Sequence, residues 1–293
     1  FIDGVDLFDA SYFKISPFEA QRLDPQQRLM LETVIHSLDD AGYDQTELPK
    51  DTGGVVGVSA LDYSTLLKAA GAKTDGYSAT GNSLAMVANR VSHFLDIQGP
   101  SLAIDTACSS SLIALTQAVN AIKQGTCQMA IAGGVNLCLA QEGFEGPLDA
   151  GMLSPTGYCH SFGEAADGYV RGEGVVSVVL KKYSEAVRDG DMIYGKIIGT
   201  AQNHGGHSGS LTAPNVQAQS SLIKAAMGRI DARSISYIEA HGTGTQLGDA
   251  VEVSALKQAY EELLGQQEFE VPFISLGSIK SNIGHLEAAA GLA

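Results

Sequence analysis

Cys108 stands at a junction in the sequence where a thiol can act as a nucleophile. The apolar run Leu102 to Ile104 stops at Asp105-Thr106-Ala107, and a helix-period pattern begins at Ser109. A thiol at a strand-to-helix turn lies against the unpaired N–H groups and the positive dipole end of the helix, which favour the thiolate. Small neighbouring residues permit a sharp turn that points a backbone N–H at an oxyanion beside the sulfur. Free cysteines are more often small core residues, and this segment alone leaves both interpretations open.

Two histidines, one of them close to a lysine in the sequence, are candidates for the partner that such a nucleophile needs. His241 lies in EAHGTGTQLGD, directly after an apolar run, and opens a Gly/Thr loop where backbone can approach a ligand closely. His285 lies in SIKSNIGHLEAAAG, with Lys280 five positions before it. Both stretches are typical of the loops at strand ends, where the active sites of α/β proteins gather.

Neither a metal site nor a phosphate loop is expected. His204-Gly-Gly-His207 has the spacing of a ligand pair, but it lies on a Gly-rich loop without a further Cys or carboxylate ligand set. HGTGTQLG places its third glycine at the wrong offset for a dinucleotide fingerprint, and no GK[ST] sequence follows. Cys127, Cys138 and Cys159 lack the context of Cys108 and are expected in the core.

The composition is that of a folded, acidic protein. Of the 293 residues 44% are hydrophobic, which suffices for a large core. No apolar run approaches the roughly 18 residues of a membrane span, so no membrane is expected as a partner. The net charge of −15 argues against nucleic acid, because phosphate contacts need a basic face. Single cysteines and the lack of a targeting segment favour a reducing, cytoplasmic location.

Strand-like and helix-like segments alternate along the chain, which predicts an α/β fold. The clearest helix has Asp24 as its N-cap and Pro25 in its first turn, and it ends at Gly42. The predicted strands are Gly54 to Val58, Leu102 to Ile104, Gln128 to Ala132, Val175 to Leu180, Met192 to Ile198, Ile235 to Glu239 and Phe273 to Leu276. The further predicted helices are Ser83 to Leu95, Ser109 to Lys123, Val216 to Met227 and Asp249 to Leu264. Several strands are continuous apolar runs, as in a sheet covered on both faces.

One arrangement recurs in the two halves of the chain. In the first half a strand runs into Cys108 and then into a helix. In the second half a strand runs into His241, a Gly/Thr loop and a helix that we expect to start at Asp249, with Glu252 at the capping-box position. The halves are therefore expected to share an architecture, although no repeat of residue identity accompanies it.

Five motifs together resemble those of β-ketoacyl synthases, specifically the ketosynthase domains of modular polyketide synthases. DTACSSSL, EAHGTGTQLGD and KSNIGHLEAAAG occur in the order of that family's three active-site motifs. FDASYFKISPFEAQRLDPQQRLMLET (8–33) and FGEAADGYVRGEG (162–174) resemble the same family, so the resemblance covers essentially the whole chain. NHGG at 203–206 resembles the trans-acyltransferase type of assembly line.

The resemblance implies the thiolase-like fold, in which two similar halves form a five-layered α-β-α-β-α body, commonly as a homodimer. It predicts an N-terminal half over residues 1–160, which carries the cysteine, and an incomplete C-terminal half over residues 161–293, which carries the histidines and the lysine. By the same comparison the chain is truncated at both ends, lacking the first strand of one half and the closing strands of the other. We therefore expect it to be a fragment of low stability.

The resemblance also implies a decarboxylative Claisen condensation during polyketide chain elongation. Cys108 would take the growing acyl chain from the phosphopantetheine arm of an acyl carrier protein. His241 and His285 would support decarboxylation of a malonyl-type carrier thioester, whose carbanion attacks the acyl-cysteine. Two imidazole N–H donors suit the task because negative charge develops on the thioester oxygen. Lys280 would organise the pocket by hydrogen bonding and charge.

Further residues and partners follow from the same resemblance. Thr243 and Thr245 would contact the pantetheine or malonyl portion of the substrate. Asp249 and Glu252 are interpreted first as helix-start residues and second as braces of the histidine loop. The family usually has proline where Ala250 stands. No cofactor is expected to bind directly, and the expected partners are the acyl carrier protein, neighbouring polyketide synthase domains and a second copy of the chain.

Two other functions compete with condensation. A non-elongating ketosynthase-like domain would only bind or transfer acyl chains, and the usual mark of that state, loss of a histidine, is not seen here. A cysteine hydrolase would use one Cys/His pair and water, leaving the second histidine and the lysine loop without a task.

Overall fold

Six strands and eleven α-helices form the regular structure of the described residues, 1–210, 212–265 and 274–293, in a computed structural model of the chain. The strands are Gly53–Gly57 (β1), Ser101–Ile104 (β2), Met129–Asn136 (β3), Gly174–Lys181 (β4), Tyr237–Glu239 (β5) and Ser275–Gly277 (β6). The helices are Pro17–Ala20 (α1), Pro25–Asp40 (α2), Asp62–Ala69 (α3), Gly76–Gly81 (α4), Ala85–Phe94 (α5), Ser110–Lys123 (α6), Glu142–Asp149 (α7), Tyr183–Asp189 (α8), Val216–Met227 (α9), Gln246–Leu264 (α10) and Lys280–Ile283 (α11). Ala232–Ser234 and Glu287–Ala289 form short 3₁₀ turns. A membrane span needs a helix that is both long and apolar, and these residues form none.

The chain divides into two compact units, each built from separate stretches of sequence. Unit 1 comprises Phe1–Glu145, Gly172–Lys196 and Leu286–Ala293. Unit 2 comprises Gly146–Arg171 and Ile197–His285. The halves expected from the family resemblance, 1–160 and 161–293, stay a prediction.

Unit 1 contains a four-stranded sheet in the order β2-β1-β3-β4. β1 runs parallel to β2 and β3, so the carboxyl ends of these three strands meet at one edge, and β4 is antiparallel to β3. Every residue of β1 and β3 is buried. Val56 of β1 packs in one cluster with Val34 of α2, whereas Val55 packs in another with Ala114 of α6. The prediction of a sheet covered on both faces is confirmed.

α2 begins at the predicted residue because Asp24 caps its first turn. The Asp24 carboxylate accepts the Gln26 backbone N–H at 2.8 Å, and Pro25 has no N–H that needs a partner. Burial raises the pKa of Asp24 to about 6, since hydrogen bonds only partly replace the water that its ionised form loses. The helix ends at Asp40, shortly before Gly42, whose φ is 76°.

The predicted strand Met192 to Ile198 is not formed. None of the described strands hydrogen-bonds to this segment, and Met192 and Tyr194 are 72% and 82% exposed. A strand persists only where a neighbouring strand satisfies its backbone groups, so an apolar run without such a neighbour does not form one.

β3 is longer than predicted, because it continues past Ala132 through two glycines to Asn136. Glycine in a strand suggested an end, yet here it permits a close contact, since a Cβ on Gly134 would lie 2.7 Å from the Ser111 Cβ. The other predicted strands and helices are confirmed apart from shifts at their ends. Phe273, the predicted start of the last strand, lies outside the described residues.

Unit 2 contains the parallel pair β5 and β6 together with α9 and α10. Gln217 of α9 and Gln258 of α10 exchange two amide hydrogen bonds, of 3.0 and 2.8 Å, which join the two helices. β5 leads into loop 240–245, which leads into α10. This strand and this helix therefore hold the loop that carries His241.

Candidate active site

Cys108 lies on the tight turn between β2 and α6 in unit 1. Ala107, immediately before it, has a φ of 53°, in the left-handed region that residues with a Cβ rarely adopt. The thiol precedes the first turn of α6, which begins at Ser110, and Cys108 is exposed. The predicted strand-turn-helix setting is confirmed, and this cysteine is not a buried core residue.

Ser110 and the underlying sheet hold this turn. Ser110 Oγ accepts the Thr106 N–H at 2.9 Å and donates to the Ala107 carbonyl at 2.6 Å. Beneath the turn, a Cβ on Gly57 of β1 would lie 2.5 Å from the Ser111 backbone nitrogen. Glycine therefore lets the start of α6 rest directly on the sheet, which determines where the helix and its preceding turn lie.

Glu252 on α10 holds the backbone of His241 in unit 2. Its Oε1 accepts the His241 N–H at 2.7 Å, and its Oε2 accepts the Gly242 N–H at 2.8 Å. Each carboxylate oxygen satisfies one of two successive backbone donors, which sets the orientation of both peptide planes. The capping-box interpretation of Glu252 is wrong, because α10 begins at Gln246 after Thr245 and Glu252 lies in its second turn.

Asp249 ties a second part of the same loop to the segment around Phe162. Its Oδ1 accepts the Gly244 N–H at 3.2 Å, and its Oδ2 accepts the Phe162 N–H at 2.7 Å. The prediction that Asp249 starts the helix is wrong, because Gln246 and the leucine after it are good helix formers and extend the helix toward the loop. The secondary role expected for Asp249, bracing the histidine loop, agrees with its hydrogen bonds.

His285 is buried, with 2% of its surface exposed, and lies beside His241. Its backbone N–H donates to the Val170 carbonyl at 2.7 Å. The centroids of the two imidazole rings are 5.3 Å apart with their planes at 87°, and the Tyr169 ring lies 5.2 Å from His285. Two histidines from separate motifs are thus brought into one cluster within unit 2.

Both imidazoles are neutral at physiological pH. His241 keeps accessible surface, yet protein atoms crowd its ring, and this desolvation, followed by the charge of Lys280, lowers its pKa to about 4. Burial, then the charge that His241 carries when it is protonated, and then the charges of Lys280 and Arg171 lower the pKa of His285 to about 3. A neutral imidazole has one N–H donor and one acceptor nitrogen, so the pair offers two donors without net charge.

Lys280 and the two threonines complete the cluster that unit 2 contains. Lys280 is the first residue of α11 and is buried, with 6% of its surface exposed. The hydroxyl oxygens of Thr243 and Thr245 lie 3.2 Å apart. Gly244 between them has a φ of 79°, and a Cβ there would lie 2.8 Å from the His160 nitrogen. Only glycine fits this position without strain.

The predicted site residues are divided between the two units. Cys108 belongs to unit 1, and the remaining predicted site residues belong to unit 2: His241, Thr243, Thr245, Lys280 and His285. Cys127 and Cys159 are buried, as expected, and Cys138 is half-buried. The catalytic and binding roles assigned to these residues stay predictions.

Phe162, Tyr169 and Val170 lie against the histidine cluster, and sequence reasoning missed them as site residues. All three belong to FGEAADGYVRGEG (162–174), in which only Gly174 lies in a helix or strand. The available signal was this lack of periodicity in a Gly-rich, charged stretch, since such a stretch is ordered by contacts with other parts of the chain.

Family models match nearly the whole chain. The model described as the N-terminal domain of β-ketoacyl synthase matches residues 1–186. The model described as its C-terminal domain matches residues 194–293.

Curated relatives and solved structures agree with these matches. Polyketide synthase PksN of Bacillus subtilis is 46% identical over the whole chain, and a phenolphthiocerol/phthiocerol polyketide synthase protein of Mycobacterium tuberculosis is 45% identical. The chain spans 5% and 16% of the length of these two relatives.

Two solved ketosynthases share the fold. The ketosynthase from module 6 of the Bacillus subtilis bacillaene synthase is 39% identical with a TM-score of 0.92, and covers all of this chain. An oxazolomycin ketosynthase domain from Streptomyces albus is 42% identical with a TM-score of 0.92, and covers 99% of it. In each case the match takes in 50% of the solved chain, so this chain spans about half its length.

Proposed function

The chain belongs to the β-ketoacyl synthase family and has its thiolase-like fold, and we propose on that premise that it catalyses decarboxylative Claisen condensation in polyketide chain elongation. The observation that carries the proposal is the histidine pair. Two neutral imidazoles with centroids 5.3 Å apart, beside a buried lysine, suit an enolate that needs two hydrogen-bond donors and no strong base.

In the first half-reaction, Cys108 accepts the acyl chain. Its thiolate attacks the carbonyl of the acyl-pantetheine thioester carried by an acyl carrier protein, the bond to the pantetheine sulfur breaks, and pantetheine leaves as the thiolate, which takes a proton from water. The exposed position of Cys108 on a turn before α6 supports this role, because a bulky thioester must reach the sulfur.

In the second half-reaction, a malonyl-type carrier thioester loses carbon dioxide. The electrons of the breaking carbon–carbon bond form an enolate, whose oxygen accepts hydrogen bonds from His241 and His285. Its carbanion carbon then attacks the acyl carbonyl on Cys108, a new carbon–carbon bond forms, and the cysteine thiolate is released. A neutral imidazole keeps its proton in this step, so it stabilises the charge without consuming the enolate.

Lys280 and the two threonines assist this step without reacting: the lysine acts on the histidines, and the threonines contact the substrate. The charge of Lys280 helps to keep both histidines neutral, which preserves one acceptor nitrogen on each ring. Thr243 and Thr245 offer hydroxyl groups to the pantetheine or malonyl portion of the substrate. Their spacing of 3.2 Å lets the pair act as one polar contact point.

The proposed partners are an acyl carrier protein, neighbouring polyketide synthase domains and a second copy of the chain. β2 pairs only with β1 among the described strands, and Leu102 on it is 44% exposed, so its free edge is a candidate for pairing with the second copy. Because Cys108 must stay reduced, we propose that the reaction takes place in the reducing cytoplasm. The trans-acyltransferase assignment stays a prediction.

The test measures both half-reactions separately. Intact mass after incubation with a short acyl-pantetheine thioester is expected to rise by one acyl group, and the rise is expected to disappear in Cys108→Ala. Release of carbon dioxide from a malonyl carrier is expected in the parent and lost in His285→Ala with acylation retained. Acylation without carbon dioxide release in the parent would instead identify a non-elongating acyl-transfer domain. A folded parent that gains no acyl group would refute the proposal.

A further inference from the structure

Asp105 and Ser59 lie at the carboxyl edge of the unit 1 sheet, next to the turn of Cys108. β1 and β2 are parallel neighbours, and the Val58 N–H donates to the Ile104 carbonyl at 3.0 Å. The hydrogen bonds between the two strands thus continue up to Val58 and Ile104, the residues that directly precede Ser59 and Asp105. Ser59 Oγ donates to Asp105 Oδ1 at 2.7 Å, which joins the loops that follow the two strands.

The same oxygen of Asp105 also holds the strained residue of the turn. Asp105 Oδ1 accepts the Ala107 N–H at 3.0 Å. An aspartate that binds the backbone two residues ahead stabilises a local turn. Ala107, with a φ of 53°, needs such support, because a residue with a Cβ leaves the left-handed region unless its surroundings hold it there.

We propose that Asp105, supported by Ser59, is a positioning residue for Cys108. The inference rests on the proposed function of Cys108 as acyl acceptor. By holding Ala107 in the left-handed region, the pair sets the direction in which the cysteine side chain leaves the turn. Transfer from a thioester requires the sulfur to approach the carbonyl carbon at a defined distance and angle, so a relaxed turn slows transfer. Neither residue needs to touch the reacting atoms for this role.

The hydrogen-bond geometry separates a positioning role from a charge role. Both bonds end on one oxygen, Oδ1, and the side-chain carbonyl of an asparagine can accept both from the same place. Asp105→Asn therefore keeps the clamp and removes the charge, whereas Asp105→Ala removes both. A positioning role predicts that the two variants differ, and a charge role predicts that they behave alike.

The experiment compares two reactions of Cys108 in the parent and both variants. The first is acyl transfer from a short acyl-pantetheine thioester, followed by intact mass, and the second is alkylation by iodoacetamide across pH, followed by peptide mass spectrometry. Acyl transfer is expected to stay within about threefold of the parent in Asp105→Asn and to fall at least about tenfold in Asp105→Ala. The limiting rate of alkylation at high pH is expected to stay within about threefold of the parent in both variants, since a small reagent can approach the sulfur from any direction.

Asp44 supplies a matched control. Its Oδ1 accepts two hydrogen bonds from Thr46, of 2.7 and 2.6 Å, in an exposed turn of the same unit. Asp44→Ala removes an aspartate that stabilises a turn but leaves the cysteine turn intact, and parent-like acyl transfer is expected.

Equal losses of acyl transfer in the two Asp105 variants would assign the effect to charge and overturn the proposal, and so would parent-like transfer in Asp105→Ala. If Asp105→Ala does not fold, Ser59→Ala decides, because it removes one bond of the clamp and keeps the other. A loss of several-fold then supports positioning, and a parent-like rate overturns it. A parent that iodoacetamide labels at Cys108 but that accepts no acyl group would instead refute the proposed function, and the positioning role would fall with it.

Discussion

The burial of His285 makes the stability of the protein depend on pH, and His285→Asn is expected to remove that dependence. The pKa of this imidazole is about 3 in the native state, against an ordinary value of about 6.5 in an unfolded chain. Above pH 6.5 both states are neutral at this residue and the shift contributes no pH dependence. As the pH falls below 6.5, the unfolded state binds a proton that the native state does not, so the native state loses stability until the pH reaches about 3.

The magnitude follows from the distance to the unfolded pKa. A pH of 5 lies about 1.5 units below the pKa of the unfolded imidazole. At about 1.4 kcal/mol per pH unit, the free energy of unfolding is about 2 kcal/mol lower at pH 5 than at pH 7.5. His285 is only 2% exposed, so solvent screens this effect little. The loss is a large share of the roughly 5–15 kcal/mol that stabilises an ordinary protein.

Urea unfolding at pH 7.5 and pH 5, followed by circular dichroism, measures this loss. The parent is expected to lose about 2 kcal/mol more between the two pH values than His285→Asn does. Other titrating groups are the same in both proteins and cancel in the comparison. His93→Asn, which replaces an exposed histidine, is the matched control and is expected to behave like the parent. An equal loss in the parent and in His285→Asn would refute the assignment of a buried, neutral imidazole.

Three further predictions concern the residues that hold the site and the fold. Glu252→Gln offers one acceptor oxygen to two backbone donors, so carbon dioxide release is expected to fall about 10- to 100-fold while acylation of Cys108 stays within about twofold; an equal fall in both rates would contradict this. Gly244→Ala and the control Gly125→Ala both place a Cβ at positive φ, but only at Gly244 would that Cβ lie 2.8 Å from a backbone atom of another segment. Gly244→Ala is therefore expected to have the lower melting temperature. Equal melting temperatures would show that the loop relaxes. Asp24→Asn keeps the helix cap but does not ionise. Because the native pKa of about 6 is raised, the ionisation of Asp24 alone favours the folded parent by about 1 kcal/mol more at pH 5 than at pH 7. Between pH 7 and pH 5 the unfolding free energy in urea is therefore expected to change about 1 kcal/mol more favourably in the parent than in Asp24→Asn, and equal changes in the two proteins would refute that origin.

Local chemistry made part of the structure predictable. The start of α2 follows from Asp24 and Pro25, which act within one helical turn, and the turn at Cys108 follows from an apolar run that ends among small residues. The extent of β3 and the absence of a strand at Met192 to Ile198 were not predictable in this way. Both depend on which partner the folded chain places beside the segment, and no pattern within the segment records that.

In the candidate site, too, some features follow from the local sequence and others depend on contacts between distant residues. The motifs around His241 and His285 could be identified in the sequence, but their ring contact and low pKa values arise from burial and from the charge of Lys280, which only the fold supplies. For Glu252 and Asp249 the sequence left two roles open and ranked them wrongly, because their spacing fits a helix start as well as it fits hydrogen bonds to a preceding loop. Hydrogen bonds across many residues decided between the two interpretations.

The division of the chain into interleaved stretches has a consequence for its synthesis. The chain passes between the two units four times, at 145/146, 171/172, 196/197 and 285/286. β4, which pairs with β3, leaves the ribosome only after Gly146–Arg171, a stretch that belongs to the other unit. Residues Leu286–Ala293, which pack in unit 1, emerge after all of unit 2. Neither unit can therefore be completed before most of the other has been translated, and no single proteolytic cut can release one of them intact.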